Sequence, residues 1–270
     1  TLAKRLTQMT GIDKKSDVFR GIMKEIKNWS QFLPIVEELR KDAMNVEDDR
    51  HWKQFKEVLE TDLDLNGETL LEVFWKFEIY GAKVREEIEY ITEQAAQEKK
   101  IENDLAKIEE VWNDVYFEFV PLELKDQTLE MLKMPDEYLE VLDDHQMMVQ
   151  TIAGNKHMAY YEKDVNKWLR GLSNINECVR LLSEVQKTWS FLINLFIFSQ
   201  EVKKELPSET EHFKKIHSVV QRMLAEGKAK SNIFQFSNMD FEETSVIQSL
   251  ENILTNLAQC QKGLNDFIAS

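Results

Sequence analysis

Between Thr69 and Phe119 the chain carries one unbroken apolar stripe, and that stripe restricts the folds open to it. Apolar or small residues recur at Val84, Ile88, Ile91, Ala95, Ile101, Leu105, Ile108, Trp112, Val115 and Phe119, in steps that fit one face of an α-helix. No proline interrupts the run, and Gly81 is its weak point. From Glu86 to Glu110 the other faces are mostly Glu, Gln, Lys, Asn and Asp, so they face water. A helix from Ala82 to Phe119 is roughly 57 Å long. A compact sphere of 270 residues has a diameter of roughly 48 Å. The helix overhangs that sphere, so the expectation is an elongated rod of antiparallel amphipathic helical bundles built alongside it.

Composition agrees with an all-α chain. Only 8 Gly and 4 Pro punctuate 270 residues, among abundant Glu, Lys, Leu and Gln. A formal charge of −15 argues against nucleic acid or an anionic membrane as the main partner, because phosphate neutralisation needs clustered Lys and Arg. Cys178 and Cys260 make no disulfide framework, which suits a reducing compartment. No apolar run reaches the ~20 residues of a membrane span. The chain opens in mid-pattern at Thr1-Leu2-Ala3-Lys4-Arg5-Leu6 with no signal or transit sequence, as a piece of something longer would.

Taken in order, Leu2 to Met9 reads as the end of a helix stopped at Gly11. Asp17 to Trp29 reads as a second helix, broken at Leu33-Pro34, with Ile35, Val36 and Leu39 in the next. Glu47 to Leu59 repeats the pattern, and Asn66 is placed to cap the long helix. After Phe119-Val120-Pro121 the periodicity fades, and Leu122 to Met134 reads as a small irregular or β insertion. Pro135-Asp136-Glu137 opens another helix. A second long unit runs from Lys163 to Leu206, with Gly171 as a bend. Ser208-Glu209-Thr210-Glu211 has the form of a capping box. A polar loop, Lys228 to Asn238, precedes a last helix. Two subdomains follow from this reading, 1–120 and 121–270.

Residues able to do chemistry are sparse. Glu209 and His212 form one Glu-x-x-His step, whereas a di-iron bundle needs two such steps and two further glutamates. The histidines at 51, 145, 157 and 217 have no partners at zinc-site spacing. Neither phosphate-binding glycine pattern occurs, and Asp143-Asp144-His145 reads as a solvated helix surface. No catalytic, cofactor or metal residue is assigned. Trp29, Trp52, Trp112, Trp168 and Trp189 fall on the apolar stripes of their helices and read as core. Phe234 and Phe236 stand out in the polar loop, either folded back on the chain or docking a partner.

Several stretches, in order, resemble the linker region of dynein heavy chains. Trp29, Leu33-Pro34 and Arg50-His51-Trp52 are similar to a W…LP…RHW pattern. Ala95, Glu98, Ile101, Glu102, Leu105, Ile108 and Trp112 resemble A-x-x-E-x-x-I-E-x-x-L-x-x-I-x-x-x-W. Leu142-Asp143-Asp144-His145-Gln146 is similar to an L-x-D-x-Q turn. Trp168, Gln186-Lys187-Thr188-Trp189, Leu206-Pro207 and Cys260-Gln261-Lys262-Gly263-Leu264-Asn265-Asp266 continue the likeness. Departures at Asn194-Leu195-Phe196 and Ala153-Gly154-Asn155-Lys156 lean toward an axonemal heavy chain.

The resemblance implies a curved helical lever lying over a ring of ATPase modules and carrying force between that ring and the tail. The implied partners are the AAA+ ring and tail of the same heavy chain, with dynein intermediate and light chains as accessories and microtubules reached through the parent motor. ATP and magnesium belong to the parent ring, so the segment itself is expected to be non-catalytic and without cofactor. The implied location is the cytoskeleton, in the axoneme of a cilium or flagellum. A static all-α scaffold is the alternative, and a metal-dependent helical-bundle oxidase using Glu209 and His212 is a third reading.

Overall fold

The computed structural model describes residues 2–59 and 67–269, with side chains other than those of 77–84. Helices dominate, and they fall into two compact units, residues 1–101 and 102–270. The division lies inside the long helix, ahead of the break after 120 read from the sequence.

In the first unit α1 (Leu2–Gln8) and α2 (Asp17–Leu39) are followed by a 3-10 turn (Asp42–Met44) and α3 (Arg50–Leu59). The long helix α4 (Leu70–Trp112) begins here. Gly11 between α1 and α2 has φ +84°, a conformation natural to glycine. Ser16 caps α2 by accepting a hydrogen bond from the Phe19 amide. Pro34 does not break α2, contrary to the sequence expectation. The helix runs through it because Phe32, Ile35, Val36 and Leu39 on either side are buried. That burial offsets the ~3 kcal/mol an interior proline costs. The Arg85 guanidinium of α4 also donates to the Gln31 carbonyl, one turn before the proline.

Asn66 lies outside the described residues; the observed cap of α4 is Thr69. The Thr69 hydroxyl accepts from the Glu72 amide at 3.3 Å, and Glu72 Oε2 accepts from the Thr69 amide at 2.7 Å, a reciprocal capping box. The core of this unit gathers Phe32, Val36, Leu39, Phe55, Leu59 and Ile88 with their neighbours. Trp29 stacks on Phe74 at 4.1 Å with the rings 5° from parallel, and Phe32 meets both edge-on.

The second unit begins with the end of α4. The helix stops at Trp112, short of the Phe119 expected from the stripe. Val115 is still buried, but as part of an extended segment, and Phe119 lies on a strand, 45% exposed. That strand, β1 (Glu118–Glu123), pairs antiparallel with β2 (Thr128–Lys133), so the insertion is a hairpin, with Phe119 opposite Leu132. Helix α5 (Glu137–Ala153) and a 3-10 turn (Ala159–Tyr161) lead to α6 (Glu162–Phe196), the centre of the unit. Its buried side includes Val165, Trp168, Leu172, Ile175, Leu182 and Trp189, and it packs against α5, α8 and α10.

The expected single helix to Leu206 ends at Phe196. Ser199 then caps a separate short α7 (Gln200–Glu205) by accepting from the Val202 amide. Helix α8 (Pro207–Ala229) starts with Pro207 in its first turn and Leu206 at the cap position, without a side-chain bond. Ser208 is therefore already helical and the expected capping box does not form; Glu211 instead pairs with Lys214 on the helix surface. The polar loop contains α9 (Ile233–Ser237), and a two-residue hairpin, β3 (Asp240–Phe241) with β4 (Thr244–Ser245), opens α10 (Val246–Ala269).

Candidate functional site

The motifs singled out in the sequence meet one another in space, chiefly through buried polar contacts. In the first unit Arg50 and His51 at the start of α3 face Glu98 on α4. Arg50 donates to Glu98 Oε2 from Nε at 2.9 Å and from Nη2 at 2.5 Å, and Gln94 donates to Oε1 at 2.8 Å. Asp48 holds the remaining edge of the guanidinium at 3.0 Å. The Glu98 side chain is 4% exposed and that of Arg50 18%. A carboxylate this deeply buried is tolerable only with its charge matched and its lone pairs occupied.

His51 is fully buried, and its Nε2 lies 3.1 Å from Glu98 Oε2. The contact is close, but its geometry is not that of a hydrogen bond. Burial lowers the His51 pKa first; Glu98 pulls it up and Arg50 pushes it down, leaving a net decrease. The ring is therefore neutral near pH 7. Trp52, next in the motif, donates to Asn45 at 3.2 Å. Each residue of Arg50-His51-Trp52 thus has a distinct structural role: Arg50 ties α3 to α4, His51 packs neutral beside Glu98, and Trp52 bonds Asn45.

The second unit repeats the device with tryptophan and histidine. Trp112 Nε1–H donates to His145 Nδ1 at 3.1 Å, joining the end of α4 to α5. Trp189 Nε1–H donates to His217 Nδ1 at 3.0 Å, joining α6 to α8. Both indoles are fully buried, and a buried indole N–H needs an acceptor. Only an imidazole unprotonated at Nδ1 can serve. Burial lowers the pKa of both histidines, with Asp144 acting in the opposite sense on His145. His145 is thus a structural acceptor, not the solvent-facing residue its acidic neighbours suggested.

Two amides complete the set. Gln186 of α6 accepts from the Leu132 amide at 2.7 Å and donates to the Leu132 carbonyl at 2.8 Å, closing the outer edge of β2 like one more strand residue. Leu132 packs over Gly227 of α8, where a Cβ would collide with its Cδ1. Asn232 donates to the Trp112 and Asn113 carbonyls at 3.0 and 3.2 Å, while its Oδ1 caps α9 through the Gln235 amide at 2.9 Å. Main-chain bonds from Phe117 to Ser231 and from Ile233 to Val115 lock the same crossing. This crossing ends α4 at Trp112.

The polar loop is therefore folded back on its own unit. Phe236 is fully buried and meets Phe117 edge-on. Phe234 lies on Trp168 at 4.8 Å and fills the space over Gly171, which is a close-approach position and not the bend expected there. Phe236 is thus enclosed within the unit, whereas Phe234 is half-buried against Trp168. Among the remaining motif residues, Ile101, Leu105, Trp112, Trp168 and Trp189 are buried, Glu102 is exposed, and Trp29 and Trp52 border the first core. Glu209 packs beside Gly263, whereas His212 lines a groove with Lys215 and Asn256. Among the described residues no group of three or more His, Cys, Asp or Glu could hold a metal ion. No described helix is long and apolar enough to cross a membrane.

Sequence reading named the Trp residues and Glu98 but missed Gln186 as a clamp, Asn232 as a cap, and His145 and His217 as acceptors. For the histidines a signal was available: each buried tryptophan demands an acceptor. For Gln186 and Asn232 none was, since their partners lie on distant main chain.

The family described as "Dynein heavy chain, N-terminal region 2" matches over residues 1–270. Similar proteins include the "Dynein alpha chain, flagellar outer arm" of Chlamydomonas reinhardtii, 32% identical over 258 residues, covering 95% of this chain and 6% of that protein. "Dynein axonemal heavy chain 17" of Mus musculus is 28% identical over 256 residues, covering 94% and 5% respectively. "Dynein beta chain, ciliary" of Heliocidaris crassispina is 26% identical over 252 residues, covering 93% and 5%. The chain spans only 5–6% of the length of these relatives.

Proposed function

Because the chain belongs to the dynein heavy chain family, matching its N-terminal region 2, we propose that it is a segment of the motor's mechanical linker. In this reading it passes ATP-driven conformational change from the AAA+ ring to the tail, while ATP and its magnesium are bound and hydrolysed elsewhere in the heavy chain. Its partners are that ring and tail, with intermediate and light chains as accessories. It meets microtubules only through the whole motor. The axonemal and ciliary names of its relatives support a place in a cilium or flagellum.

The observation that supports a mechanical role best is the position of the buried ties. In the first unit they join α3 to α4, and in the second the end of α4 to α5 and α6 to α8, so that neither member of a tied pair can shift without straining its bond. Buried hydrogen bonds with fixed geometry resist shear better than apolar contact alone, which is non-directional. Helix α4 is also continuous through the division between the units.

The test uses the full heavy chain with Lys99, Lys100, Glu102 and Asn103, all exposed, replaced by glycine. Each substitution costs about 1 kcal/mol of helix stability without touching a core. Microtubule gliding should slow severalfold while ATP turnover is retained. Unchanged gliding would favour a static scaffold.

A further inference from the structure

Helix α2 is half covered. Its C-terminal part buries Phe32, Ile35, Val36 and Leu39, whereas no residue from 2 to 31 is buried. Along one side Val18 is 72% exposed, Ile22 45% and Leu33 47%. With Ile26, Trp29 and Leu2 of α1 they line a shallow groove of about 630 Å³. Single exposed apolar residues are ordinary, but these follow one another at steps of three and four. That spacing makes a seam for another helix. The stretch also differs in charge. Residues 2–31 carry seven Lys and Arg against three Asp and Glu, while the rest of the chain carries 27 against 46.

We propose that this stripe seats the heavy-chain segment immediately N-terminal to Thr1, packed there as an amphipathic helix with an excess of Asp and Glu on its flanks. Three observations select this occupant. The chain is 5–6% of the length of its relatives, so in such a heavy chain most of the polypeptide lies outside these residues. The groove starts at Leu2, so a segment joined there by a short connection is held at roughly millimolar effective concentration. A separate chain or a second copy must find the same groove from dilute solution. Finally, the local positive charge sits within an acidic protein, and an acidic helix complements it. Without such cover the N-terminal half of α2 is a marginal helix in water, since packing of an apolar face supplies most helical stability. The proposal stands apart from the lever reading and needs only membership of a longer heavy chain.

The test is hydrogen exchange on the full heavy chain, native and with Val18→Glu and Ile22→Glu together, α10 serving as the folding control. Neither side chain is buried, so the core of the unit is spared. In the native protein the amides of residues 18–30 should exchange slowly. In the double variant they should exchange at least tenfold faster, about 1.4 kcal/mol at 25 °C, with α10 unchanged. Should the glutamates perturb α10, Val18→Ser with Ile22→Ser gives the same comparison more mildly. A photoreactive p-benzoylphenylalanine at position 22 identifies the occupant. A crosslink to the segment just upstream of Thr1 supports the proposal. Fast exchange in the native chain, equally slow exchange in both proteins, or a crosslink to a second heavy chain or an accessory chain overturns it.

Discussion

Removing Arg50 should hurt the first unit more than removing its partner Glu98, and the difference should depend on pH. Arg50→Ala leaves a carboxylate 4% exposed with one neutral donor, Gln94, and a neutral His51. Stripping a buried charge of its counter-ion costs about 3–5 kcal/mol. Glu98→Ala leaves a guanidinium that is 18% exposed and still paired with Asp48, so about 2 kcal/mol is expected. Because the two residues share one interaction, the double variant should fall short of the sum by about 1.5 kcal/mol or more.

In the native unit burial and Arg50 depress the His51 pKa, so its stability contribution is full above the unfolded value and is lost as pH falls from about 6.5 toward the lower folded value. In Arg50→Ala one depressing influence is gone and Glu98 remains, so the His51 pKa rises relative to native. Acidification then costs the variant less, and its deficit against the native chain should shrink by about 1 kcal/mol from pH 8 to 5.5. Urea unfolding, followed by hydrogen exchange at α3 at both pH values, reads these numbers. A deficit below about 1 kcal/mol at pH 8, or one that does not change with pH, would refute the reasoning.

Burial lowers the pKa of His145 and His217, so the second unit should be fully stable above about pH 6.5 and lose melting temperature as pH falls below it. Trp189→Phe should flatten that acid slope, because a protonated Nδ1 no longer meets an indole N–H. Gly227→Ala forces Leu132 aside while Gln186 holds its main chain, and thermal unfolding should show a loss of about 1–3 kcal/mol. Asn232→Ala removes two bonds to the end of α4 and the cap of α9, and should cost about 2–3 kcal/mol by the same measurement.

The helical class was legible because a helix face records itself every three or four residues; Ile88, Ile91 and Ala95 are buried where the periodicity places them. Ends were harder. Trp112 to Phe119 keeps the spacing of a helix, yet Asn232, over a hundred residues away, ends it by occupying the carbonyls of Trp112 and Asn113. Pro34 reads as a break, but tertiary burial overrides the local cost. Gly171 reads as a bend, whereas it lies under the Phe234 ring, just as Gly227 lies under Leu132. The ties were half visible: Arg50-His51 and Glu98 each stood out as a motif, but their pairing depends on α3 lying against α4. The groove of α2 was hidden for the opposite reason, since an apolar stripe predicts burial and says nothing of what provides it.

Distance changes within the working motor test the lever account most directly. Cys178 and Cys260 are buried, with thiols pushed up to about 12 and about 11 by burial, so they resist labelling at neutral pH. A donor fluorophore can be placed at exposed Gln261 of α10, with the acceptor on the part of the heavy chain proposed to hydrolyse ATP. Energy transfer should switch between two levels as ATP is bound and its products released. Glycine replacement at 99, 100, 102 and 103 should leave that switching intact while uncoupling it from microtubule gliding. A transfer efficiency that stays the same in every nucleotide state would contradict the account.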